Sequence, residues 1–121
     1  MSVQRFSHIG ICVSELERSV AFYRDALGFE EISRMQVSGP DSARLLQLEG
    51  GAVHAVYLQR DGTRSELLYY PQAGHQGART PAPMNRLGLT HLSLRVADLD
   101  AVVAAVVSLD GACLAATRID N

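Results

Sequence analysis

Phe6-Ser7-His8-Ile9-Gly10-Ile11-Cys12-Val13-Ser14-Glu15-Leu16 decides the fold, because the chain writes it twice. The second, weaker copy is Leu89-Thr90-His91-Leu92-Ser93-Leu94-Arg95-Val96-Ala97-Asp98-Leu99, which keeps the histidine, the apolar alternation and the acidic-Leu step. The register runs on through Val20 and Val103, Ala21 and Ala104, and Gly28 and Gly111. A repeat of this kind points to two fused units of one architecture.

Within the first copy the hydrophobic period changes from two to 3.6. Residues 6–13 alternate as a strand, with His8, Gly10 and Cys12 on one face and Ile9, Ile11 and Val13 on the other. Ser14-Glu15-Leu16-Glu17 has the pattern of a capping box, and Leu16, Val20, Tyr23 and Leu27 then form one helical stripe that stops at Gly28. A second strand is expected over residues 30–37, broken by Gly39-Pro40-Asp41, with a short helical turn over 42–48. Residues 52–60 and 64–70 read as two strands of a hairpin turning at Asp61-Gly62. The first unit is therefore strand, helix, strand, strand, strand.

Residues 71–86 hold three of the four prolines and little apolar periodicity, and read as a linker. A strand over 87–96 and a helix over 98–109 then repeat the opening of the first unit, and 112–118 would begin its second strand. The last two strands of the second unit are not represented, so that unit is expected to be incomplete at its C-terminus. The organisation expected is one domain over residues 1–121, with module one over 1–70, the linker over 71–86 and a partial module two over 87–121.

With 121 residues, 47% of them hydrophobic, the chain can bury a real core, and its net charge of −2 leaves no basic footprint for nucleic acid or an anionic membrane. No apolar run approaches the roughly 18–20 residues of a membrane span, and no leader pattern opens the chain. A cytoplasmic protein is expected. Cys12 and Cys113 are too few and too far apart for a disulfide framework or a CxxC site, and are expected to be small buried hydrophobes.

Ser65-Glu66-Leu67-Leu68-Tyr69-Tyr70 sets one acid in an apolar, strand-forming run, where its ion would need a partner. His8 and His91 from equivalent strands and Glu66 from the last strand of module one make a nitrogen and oxygen set suited to a divalent first-row metal. Taken alone, each histidine would be a hydrogen-bonded structural residue and Glu66 a partner of Arg64 or Arg60. The repetition of the histidine is what favours ligation. His54, in mid-strand, is expected to line a cavity or pack in the core, and His75, in the linker, to be solvated.

The phrases from His8 to Phe29, from Glu66 to Pro71 and from His91 to Leu99 carry a resemblance to the vicinal oxygen chelate superfamily, over most of the chain. That superfamily contains glyoxalase I, extradiol dioxygenases, methylmalonyl-CoA epimerase, and the fosfomycin and bleomycin resistance proteins. The resemblance implies an α+β fold of paired βαβββ modules whose curved sheets form a cup around a divalent ion of Fe, Mn, Ni, Zn or Co. His8, Glu66 and His91 match three of its metal ligands, and Glu66 could double as a catalytic proton acceptor. The family's fourth ligand stands on a last strand that this chain does not supply. Tyr70-Pro71 also departs from the asparagine usual in glutathione-dependent glyoxalases. The function implied is a metal-dependent enzyme of the glyoxalase and dioxygenase group acting on a small oxygenated metabolite. The alternative is a metal-free protein that sequesters a small molecule or drug. A homodimer is implied in either case.

Overall fold

A computed structural model describes residues 2–120. Its elements are β1 (Ile9–Cys12), α1 (Leu16–Ala21) continuing into a π-helical turn (Phe22–Ala26), β2 (Glu30–Val37), α2 (Pro40–Leu46), β3 (Val53–Arg60), β4 (Thr63–Tyr69), α3 (Leu99–Ser108) and a 3₁₀ turn (Ala115–Thr117). The first five principal elements are the βαβββ unit that the sequence predicts, with α2 set between β2 and β3. None of the described helices is long and apolar enough to cross a membrane.

One sheet carries all four strands in the order β1-β4-β3-β2. β1 lies parallel to β4, with Gly10 beside Glu66, while β3 is antiparallel to both β4 and β2. The β3–β4 hairpin turns on Asp61 and Gly62, both left-handed at φ 52° and 75°, as a two-residue turn between twisted strands requires. β2 is the exposed edge and is interrupted by a bulge between Glu31 and Ser33, a common way of blunting an edge against further pairing.

Side-chain alternation gives the sheet two faces. Val56, Leu58 and Leu67 point to the helix side and are fully buried, and Val20 of α1 and Phe29 close on them. Ile11, Val13, Leu16, Tyr23 and Leu27 complete this core, so the helical stripe expected at Leu16, Val20, Tyr23 and Leu27 is the packed one. The helix ends where Gly28 turns left-handed at φ 73°, and Arg60 donates to the freed Gly28 carbonyl at 3.0 Å.

Several expectations are corrected. The capping box is not formed: Glu15 is the N-cap of α1 and makes no side-chain cap, because the helix begins at Leu16, one residue too late for Ser14 to cap it. Glu17 instead reaches across to Arg34 of β2. No strand occurs over residues 87–96, which join no ladder among the described residues, and 112–118 hold a 3₁₀ turn rather than a strand. A strand exists only through its neighbour's hydrogen bonds, and the alternating segment finds no neighbour here. Leu87 and Leu89 are consequently among the most exposed large hydrophobic residues, at 98% and 87%. α3 does form, capped by Asp98, whose Oδ1 accepts from the Ala101 amide at 3.1 Å. Cys12 and Cys113 are exposed rather than buried. Cys12 points away from the packed face of β1, and Cys113 follows the end of α3.

Candidate functional site

The face of the sheet turned away from α1 collects the polar side chains. β1 presents Gly10 and Cys12 there and His8 lies just before it; β4 presents Arg64, Glu66 and Leu68; β3 presents Ala55, Tyr57 and Gln59, by the registers Gly10 with Glu66 and Tyr57 with Glu66. This placement follows from period-two alternation with the opposite residues committed to the core.

His8 and Glu66 meet: Nε2 and Oε1 are 3.4 Å apart, with the Glu66 side chain 13% exposed. On the other side of the ring, Ser7 Oγ lies 2.8 Å from His8 Nδ1 and can fix its tautomer. Tyr57 stands edge-on to His8, ring centroids 5.2 Å apart. Its hydroxyl interacts with the Glu66 carboxylate, which, with burial, pushes the phenol above its ordinary range. Burial, then the charges of Cys12 and Glu66, push the Tyr70 phenol up as well, and partial desolvation does the same to the Cys12 thiol. The two phenols beside the acid, Tyr57 and Tyr70, thus stay protonated at neutral pH.

The donor chemistry suits one divalent ion. Two donors each about 2.0–2.2 Å from a tetrahedral ion stand about 3.3–3.6 Å apart, the separation at which His8 and Glu66 are found. The pair would supply two ligands of a four-ligand set. His91 is not brought to it: its Nδ1 faces Thr90 Oγ1 at 2.7 Å, and no cluster of three or more His, Cys, Asp or Glu side chains suited to a metal occurs among the described residues.

His54 lies on the helix side of the sheet. It packs against Tyr69 at 5.9 Å and lines a groove of about 360 Å³ with Ser14 and Gln36, in keeping with its expected cavity-lining role. His75 is exposed in the linker. Sequence reasoning missed Tyr57, although a signal was present: a two-residue turn at Asp61-Gly62 pairs positions equidistant from it, which puts Tyr57 opposite Glu66.

The family model described as Glyoxalase/Bleomycin resistance protein/Dioxygenase superfamily matches residues 5–117. In the crystal structure of a glyoxalase family protein from Bacillus cereus, a similar chain superimposes with a TM-score of 0.78 at 22% identity, over 89% of this chain and 73% of that one. The crystal structure of the protein SMU.1112c gives a TM-score of 0.58 at 21% identity, over 90% of this chain and 77% of the other. At these identities the two structures speak for the fold alone. No curated protein matches the chain in sequence.

Proposed function

The chain belongs to the Glyoxalase/Bleomycin resistance protein/Dioxygenase superfamily, and from that premise we propose that it is a divalent-metal enzyme of the glyoxalase and dioxygenase group, acting on a small metabolite that offers two vicinal oxygens. The observation that carries this reading is the convergence of His8 and Glu66 at 3.4 Å on the open face. A bound ion would act as a Lewis acid toward the two oxygens.

The chain's own residues have roles that follow from where they stand. His8, with Nδ1 engaged by Ser7, would present Nε2 as a ligand. Glu66 would be both ligand and proton acceptor, since a carboxylate largely shielded from water and within reach of substrate is suited to general-base work. The Tyr57 phenol, kept protonated beside Glu66, can donate a hydrogen bond to that carboxylate or to a substrate oxygen. Tyr57, Ala55 and Leu68 provide an apolar floor that limits the water around them. His91 would join from a second copy of the chain or from a rearranged 87–96 segment, and we propose a homodimer as the form in which the cup is complete.

A second reading is favoured by the absence, among the described residues, of a third His, Cys, Asp or Glu side chain at the pair. It is a metal-free protein that sequesters a small molecule on this face. Elemental analysis and metal titration separate the two. His8→Ala, Glu66→Gln and His91→Ala should each weaken divalent-ion binding by at least about tenfold, since even outer-shell changes cost that much, while His75→Ala leaves it unchanged. Equal effects in all four variants, or no binding by the parent protein, would remove the metal enzyme and favour the sequestering reading.

A further inference from the structure

All eleven basic residues of the chain are arginines. Ten of them are exposed, and Arg64 alone is half-buried. It is also without a partner: among the described residues its side chain forms neither an ion pair nor a hydrogen bond, whereas exposed Arg18, Arg24, Arg34 and Arg118 all do. A half-buried guanidinium whose hydrogen-bond donors are not engaged is free to take an anionic partner.

Its place in the sheet says which anion. Arg64 and Glu66 are two residues apart on β4, and thus on one face and about 6.6–6.8 Å apart along the strand. Gln59 lies opposite Arg64 across the hairpin, as Tyr57 lies opposite Glu66. Arg64 thus borders the same cluster on the open face of the sheet. A molecule with its paired oxygens at His8 and Glu66 and an anionic group two or three bonds further on would lay that group against Arg64. One fixed cation matches one negative charge, and a planar guanidinium takes a carboxylate through two parallel N–H···O bonds.

We propose that Arg64 is a specificity residue of this site and selects substrates that carry a single carboxylate beside their vicinal oxygens. This rests on the reading of the His8 and Glu66 face as the substrate site and names its substrate class.

The test uses two hydroxamates, which chelate through vicinal oxygens: succinomonohydroxamic acid, with a free carboxylate, and its methyl ester, without one. Binding is measured by calorimetry to the full chain loaded with Co²⁺ or Ni²⁺, after the metal affinity has been measured alone, and is repeated on Arg64→Ala and Arg64→Gln. The parent should prefer the acid by about tenfold to a hundredfold, the range of a charge-assisted pair. Both variants should lose that preference while keeping their affinity for the metal. Metal binding without preference for the acid overturns the role of Arg64 and leaves the metal reading standing. If the parent binds no metal, the same titration on the metal-free protein decides. Binding of the acid that both variants lose supports Arg64 as an anion contact while removing the metal reading. Binding that is equal in all three proteins, or absent from all, overturns both.

Discussion

Truncating Leu67 to alanine tests the packing on which the site stands. Leu67 is fully buried on β4, opposite Val56 of β3 and beside Ile11 of β1, and it belongs to the same cluster as Val20, Phe29 and Leu58. The change removes three carbons, worth about 2.4 kcal/mol at about 0.8 kcal/mol each. Strands hold both flanks and α1 covers the site, so the walls can collapse only in part. The residual cavity should therefore bring the loss to about 3–4 kcal/mol. Urea unfolding followed by circular dichroism would show this as a midpoint lowered by about 1–2 M at unchanged slope. Leu87→Ala, at a position 98% exposed, should shift the midpoint by no more than about 0.3 M. Equal shifts in the two variants would mean that residues 87–96 are as integral to the fold as β4, and would refute the assignment of the core to module one.

Asp98→Ala should cost about 1 kcal/mol by removing the cap on the Ala101 amide, whereas Ser14→Ala should change stability by less than about 0.5 kcal/mol, as comparative urea melts would register. The Arg34 hydrogen bond holds the Glu17 carboxyl below the usual carboxylate range; a depressed folded-state pKa stabilises above the unfolded pKa and is lost as pH falls through the folded one. Glu17→Gln should accordingly narrow the gap in melting temperature between neutral and strongly acidic pH, by a small amount that 1 M salt erases, because the pair is exposed. Spectrophotometric titration should find phenols ionising above the ordinary tyrosine range, one of which is lost in Tyr57→Phe, and an ordinary phenol lost in its place would remove the contact with Glu66. Sedimentation should return a dimer at micromolar concentration, with at least about 1,200 Å² buried in total; a stable monomer would contradict the completed cup.

What could be read from the sequence was what local chemistry controls. Asp61-Gly62 announces its turn, and the bounds of β2 coincide with those read from residues 30–37. The stripe from Leu16 to Leu27 names the buried face of the helix. Glu66 and His8 could be paired because a repeat and an isolated acid point to one another. The misreadings came from interactions at long range. Residues 87–96 carry the alternation of a strand, but alternation says only which face would be buried once a neighbouring strand exists. Ser14 has the right residue type to cap α1 and stands one position too early, a matter of where the backbone leaves β1. Arg64 could be read from the sequence only as a possible partner of Glu66; that it is half-buried yet forms no ion pair among the described residues can be known only when all the possible partners have been placed.

The parallel contact of β1 with β4 joins residue 9 to residue 65 and has a consequence for the order in which the chain assembles. The β3–β4 hairpin closes over two residues and can form within about 1–10 μs. β1 has nothing to dock on until that hairpin exists and α1 has been laid over it, so its arrival carries the entropy of closing almost the whole module. Until then β4 is an open edge bearing Leu67 and Leu68. His8 and Glu66 also belong to opposite sides of this last closure, so their pairing can be complete only when the module is. A ligand held by both would bridge the strand contact of greatest sequence separation in the sheet, stabilising the native state because only the closed module can bind it.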